Sequence, residues 1–171
     1  NAALEIIRKD SRLCRMNIFD NHLLNIASEN TKKEINTVIK ILAKKSLENP
    51  KIEEMVILWS ESESIEIIDS LISTLREINW WKIKGLTEHM EKKSSDLFVT
   101  RLLRGSREPL ATEIRNKILS KSERNEDMMA RLIEDLVGRP IDEKTLKIIK
   151  EISISENLIL STISKELLEE Y

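Results

Sequence analysis

Asp127-Met128-Met129-Ala130-Arg131-Leu132-Ile133 is the stretch whose reading decides the fold. It opens on an acidic residue, continues with two apolar ones, and sets a second apolar pair one helical turn later. The same grammar returns at Glu66-Ile67-Ile68 with Leu71-Ile72, at Asp96-Leu97-Phe98 with Leu102-Leu103, and at Asn157-Leu158-Ile159 with Ile163 alone. The starts at 66, 96, 127 and 157 are separated by 30, 31 and 30 residues. Apolar residues three to four apart share one side of an α-helix. A period near thirty points to stacked helical hairpins, because one hairpin cannot bury its apolar face alone.

A second marker keeps the same beat. Pro50, Trp80, Pro109 and Pro140 fall 30, 29 and 31 residues apart, each where a second helix begins; proline at a first helical position forfeits no hydrogen bond and its fixed φ suits a helix. Working outward, start and stop signals divide the chain into about eleven helices. A short one lies near 2–9, and Asp20 caps another that carries Leu23, Leu24 and Ile26. Thr31 and Glu34 form a capping box for a helix from 32 to about 47. Asn49-Pro50 opens the next, with Ile52, Met55, Val56 and Trp59 on its apolar face. Regular pairs follow: 64–78 with 80–92, 95–104 with 108–121, and 126–137 with 142–151. Asn79, Gly105-Ser106 and Gly138 separate the partners. A final unpaired helix, 154–170, is expected to turn Leu158, Ile159, Ile163, Leu167 and Leu168 inward and Lys165, Glu166, Glu169 and Glu170 outward, as a polar-faced cap. The expectation is one all-helical domain over 1–171, with N-terminal helices over 1–30, hairpin repeats over 31–152 and a capping helix over 153–171.

Composition agrees with that reading. Three glycines and three prolines leave few sites for tight β-turns, which favours an all-α chain. A chain of 171 residues buries about 68–70% of its unfolded surface, enough for one self-sufficient domain. A net charge of −2 argues against a protein coated in basic charge for nucleic acid. Cys14 is the single cysteine and has no intramolecular partner, so a cytoplasmic location is expected. No apolar run approaches the ~18 residues of a membrane helix, and no charged-then-apolar leader opens the chain. The start at Asn1 rather than Met suits a piece of a longer protein.

The array is similar to HEAT-like α-solenoids, in the shorter variety with two-helix units of around thirty residues. Residues 127–133, the turn Val137-Gly138-Arg139-Pro140, and Leu146, Ile148 and Ile149 carry the resemblance. It covers 31–171, and 95–152 best. It implies a right-handed α-solenoid of stacked antiparallel helix pairs, with an irregular multi-helix bundle as the alternative. Second helices line the concave face of such solenoids. The resemblance therefore implies a basic stripe there, built from Lys82 and Lys84, then Arg115, Lys117 and Lys121, then Lys144, Lys147 and Lys150, interrupted by Glu113, Asp142 and Glu143.

Catalytic chemistry finds little to work with. His22 and His89 have no acidic or cysteine partner at ligand spacing, and neither His-x-x-x-His nor Cys-x-x-Cys occurs, which disfavours zinc. Cys14 has no base beside it, and no glycine-rich phosphate loop or Gly-x-Ser-x-Gly is present. Glu61, Glu63, Glu66 and Asp69 suit a metal or basic partner, yet carboxylates at a helix start also answer its positive dipole end. Adjacent Trp80 and Trp81 on a helix point about 100° apart, so one packs while the other offers an anchoring or stacking face. Residues 98–124 carry seven basic side chains, among them Arg101, Arg104, Arg107 and Arg124, against Glu108, Glu113 and Glu123.

A groove of one sign attracts anionic partners, and solvated lysines paired with glutamates are the plain alternative. The expectation is a non-enzymatic scaffold without cofactor or metal, holding an acidic or helical segment of another protein. Trp81 would anchor it, with Lys84, Arg115, Lys117, Lys144 and Lys147 as charge complements. Nucleic-acid binding by the same cations is the alternative. HEAT-like DNA glycosylases resemble the chain at fold level only. A homodimer through Leu158, Ile159 and Ile163 is a further expectation.

Overall fold

The computed structural model describes residues 2–28, 34–92, 95–121 and 125–171. Among them lie twelve α-helices, three 3₁₀ turns and no strand. Thr31 of the expected capping box and Arg124 and Glu123 of the basic stretch lie outside the described residues. The chain divides into two compact units, Asn1–Phe98 and Val99–Tyr171. The division falls inside a helix, at a point the sequence does not mark.

The first unit runs α1 (Ala2–Lys9), α2 (Ser11–Arg15), a 3₁₀ turn (Asn17–Phe19), α3 (Asp20–Ser28), α4 (Ile35–Leu42), a 3₁₀ turn (Ala43–Lys45), α5 (Pro50–Ser60), α6 (Ile65–Leu75), a 3₁₀ turn (Trp80–Lys82) and α7 (Lys84–Lys92). α2 is the helix the sequence reading lacks; the Asp10 carboxylate accepts from the amides of Arg12 and Leu13 and starts it. Asp20 is not the cap expected of it. It is buried in the first turn of α3 and takes a 2.5 Å bond from Lys45 Nζ, which also donates to the Met16 carbonyl. The expected helix 80–92 is broken, because buried Ile83 is extended between the 3₁₀ turn and α7.

α8 (Asp96–Leu103) contains the division, and the second unit continues with α9 (Pro109–Leu119), α10 (Glu126–Glu134), α11 (Glu143–Ser153) and α12 (Leu158–Glu169). Side-chain oxygens cap the starts of α5, α10, α11 and α12, from Asn49, Asn125, Asp142 and Asn157. Each satisfies amides that a helix leaves unbonded. Gly138, at φ +68°, ends the turn after α10 in a conformation that costs other residues strain.

Within each unit, several helices pack on the next but one as well as on their neighbours, α11 on α12 most extensively. α4 lies against α6 and α5 against α7; α9 lies against α11 and α10 against α12. Polar ties repeat at the same distance along the chain. The Gly85 amide donates to Glu53 Oε1 at 2.5 Å across 32 residues, and His89 Nε2 lies 2.6 Å from Glu61 Oε1 across 28. In the second unit, the Gly105 amide donates to Asp135 across 30 residues, and Thr145 and Asn116 bond across 29.

The final helix corrects one expectation. Leu158 and Ile159 are exposed and Ile163 half-buried, while Leu160, Ser161, Ser164 and Leu167 face inward. The physical reason is the cap. In α10 the cap is Asn125, two residues before the repeated Asp127; in α12 it is Asn157, the repeated residue itself. Two residues rotate a helix by about 200°, which carries the apolar pair from the inner face to the outer one. The inner face is then partly serine, and Ser164 Oγ is buried without a hydrogen-bond partner.

Candidate functional site

The basic residues read from the sequence converge best in the second unit, where the start of α9, the turn 136–142 and the start of α11 enclose a groove of about 620 Å³. Its floor is built from side chains that are themselves buried: Arg115, Asn116 and Thr145. Arg107, Arg139 and Lys144 stand along it, with Glu113 and Asp142 the acidic members.

Arg115 lies on the apolar face of α9, beside Ala111, Ile114 and Ile118, and is only 3% exposed. Its Nη2 donates to the Leu103 carbonyl at 2.8 Å and to Asp135 Oδ2 at 3.1 Å, while Nε has no partner. Asp135 also accepts two bonds from Arg139, at 2.8 and 3.2 Å. Burial pulls the Arg115 guanidinium below its ordinary pKa; Asp135 opposes that and Arg139 adds to it. The group stays charged at neutral pH all the same. Arg115 thus serves as a charged floor, held by three elements, rather than as a side chain free to reach a partner.

The other half of the floor is an interhelical knot. Asp142 caps α11 through the Thr145 amide at 2.8 Å, and the Thr145 hydroxyl lies 2.9 Å from both Asp142 Oδ2 and Asn116 Oδ1. One hydroxyl proton serves one acceptor. The set is fully satisfied when the Asn116 amide is turned so that its nitrogen donates to Thr145, an assignment that a hydrogen-bond network decides. Burial would raise the Asp142 pKa, but bonds from the Thr145 amide and hydroxyl together with the Lys144 and Asp142 amides hold the carboxyl below its ordinary value.

Of the other expected contact residues, Lys117 on α9 and Lys147 on α11 are exposed and lie outside the groove lining. Lys84 belongs to the first unit and points to solvent, 3.9 Å from Glu88. Trp80 is buried and Trp81 half-buried, their rings edge to face at 5.9 Å. Asp135 is absent from the sequence reading, and Arg139 enters it only within the turn Val137-Gly138-Arg139-Pro140, not as a site residue. His89 has an acidic partner in space, Glu61, which no spacing rule finds.

Among the described residues, no group of three His, Cys, Asp or Glu side chains could hold a metal ion. No helix among them is long and apolar enough to cross a membrane. Comparison with protein-family models, curated proteins and solved structures finds no match to this chain.

Proposed function

We propose that the chain is a non-enzymatic helical-repeat scaffold, a HEAT-like right-handed α-solenoid, whose groove in the second unit holds an acidic segment of another protein. Support for the repeat reading comes from packing of first helices on first and second on second, with polar ties one unit apart. The observation that carries the binding reading is the groove itself. Arg107 and Lys144 line a cleft in which Arg115 and Arg139 are paired around Asp135, with Glu113 and Asp142 the acidic members of the lining. Arg107 and Lys144, both exposed, are the cations placed to meet an incoming carboxylate. Lys147 and Lys117 extend the positive field beyond the cleft. Peptide is favoured over nucleic acid, because no aromatic side chain lines the groove to stack a base.

The test is fluorescence anisotropy with a labelled acidic helical peptide, and in parallel with single- and double-stranded DNA and RNA, at about 50 and 200 mM salt. Saturable peptide binding that falls at least about tenfold in Arg107→Glu/Lys144→Glu is expected, the reversal of two close charges being worth more than 1.4 kcal/mol. Tighter, steeply salt-dependent binding of nucleic acid, or peptide binding indifferent to the double reversal, overturns the reading.

A further inference from the structure

The three most exposed large apolar side chains among the described residues are Ile154, Leu158 and Ile18, at 84%, 79% and 74%. They fall at two corners of opposite charge. The first joins α11 to α12 in the second unit: Ile154, Leu158 and Ile159 stand out beside exposed Glu151 and Glu156, and residues 151–164 contain no basic residue. Next to it lies a depression of about 290 Å³ with Met129, Ile152 and Leu160 in its wall and Glu126 and Glu151 among its polar members. The second corner follows α2 in the first unit. There Met16 and Ile18 are exposed beside Arg12 and Arg15, and residues 11–19 contain no acidic residue. Arg12 reaches into solvent, 3.7 Å from Asp10.

From these two corners we infer that the chain associates head to tail, the 151–159 corner of one copy docking on the 12–18 corner of a second copy. Aliphatic side chains this exposed gain by being covered. Flanking charges select what covers them, and the complement of the acidic corner, two arginines around exposed apolar residues, is carried by the chain itself. Two unlike patches that fit each other make a heterologous contact, which leaves a free head and a free tail after every addition until a ring closes. The inference is independent of the groove described above, none of whose residues it uses.

The experiment uses two triple variants of the full chain. The tail variant is Glu151→Lys/Glu156→Lys/Leu158→Ser, and the head variant is Arg12→Glu/Arg15→Glu/Ile18→Ser. All six side chains are exposed, and circular dichroism melts establish that each variant is folded. Sedimentation velocity from about 1 μM to about 1 mM covers the range of weak association. The native chain should pass from 19.9 kDa through dimer to higher species as concentration rises. Each variant alone should stay at 19.9 kDa, its self-association weakened by about 100-fold or more. Mixed in equal amounts, the two should form a heterodimer and stop there, since the tail variant keeps a native head and the head variant a native tail. A native chain that stays monomeric throughout overturns the inference. So does a head variant that still dimerises, which is the mark of a tail-to-tail contact, and so does a mixture that stays monomeric.

Discussion

Asp135→Ala removes the carboxylate on which the floor of the groove depends, and the structure says where the cost will fall. Three donors lose a partner: the Gly105 amide, Arg139 and Arg115. Gly105 is exposed and the Arg139 side chain is a quarter exposed, so water replaces what they lose at little cost. Arg115 cannot turn to water. It keeps only the Leu103 carbonyl, and its Nε already lacks a partner. Leaving a buried charge uncompensated costs about 3–5 kcal/mol. Arg115→Met runs the other way: Asp135 retains two bonds from Arg139 and one from Gly105 while methionine refills the volume, so the expected cost is about 0–1 kcal/mol. Asp135→Ala in the Arg115→Met background should then cost about 2–3 kcal/mol less than it does alone, a coupling that a double-mutant cycle reads directly. Urea unfolding followed by far-ultraviolet circular dichroism is the assay. At a slope of about 2 kcal/mol per molar, Asp135→Ala should lower the midpoint by about 1.5–2.5 M. If the two single variants lie within about 1 kcal/mol of each other, Arg115 does not carry an ionic debt and the reasoning fails.

Two further outcomes follow from single bonds. In Gly85→Ala, a methyl group would meet the Glu53 carboxylate and Ile57, and would displace the acceptor of the Gly85 amide. The loss of that bond exceeds the small entropic benefit of alanine, so about 1 kcal/mol of destabilisation is expected in thermal melts; a stabilised variant would show that Glu53 does not hold the start of α7. Asp142→Asn keeps a capping oxygen and removes the charge. Because hydrogen bonds hold the folded Asp142 pKa below its ordinary value, the ionised form contributes stability that is complete above the unfolded pKa near 3.9 and is lost as pH falls through the folded value. Native and variant melting temperatures should therefore differ at pH 7 and converge well below pH 4. A difference that persists unchanged into strong acid would place the effect elsewhere.

What could be read from the sequence was local. Asn49-Pro50 announces a helix start, Asn49 lying two residues before the Lys51 amide it serves, and the repeated Glu66, Asp96 and Asp127 do sit in first turns. Periodicity also placed Ile68, Leu71, Phe98, Leu102, Met128 and Leu132 in the core. Misreadings arose where two local rules disagreed. Arg115 falls on the stripe Ala111, Ile114, Ile118 and Leu119, so its spacing pointed inward, but its charge led to a surface assignment. The α12 stripe slipped because the repeat and the cap use different residues as origin. Asp135, which decides the fate of Arg115, lies 20 residues further on, and Glu61 lies 28 from His89. No pattern within a window of a few turns encodes such pairs; they follow from stacking, after it has happened.

The ties between Glu53 and Gly85, Glu61 and His89, Asn116 and Thr145, and Asp135 and Gly105 give the chain a built-in gauge. Each closes only when its two ends stand one unit apart, 28 to 32 residues along the chain. One residue inserted inside α9 before Asn116 turns that side chain by about 100° relative to the start of the helix. The ties therefore make register, as well as composition, a property the sequence has to keep: a change of length between two tied residues is felt at the bond that joins them.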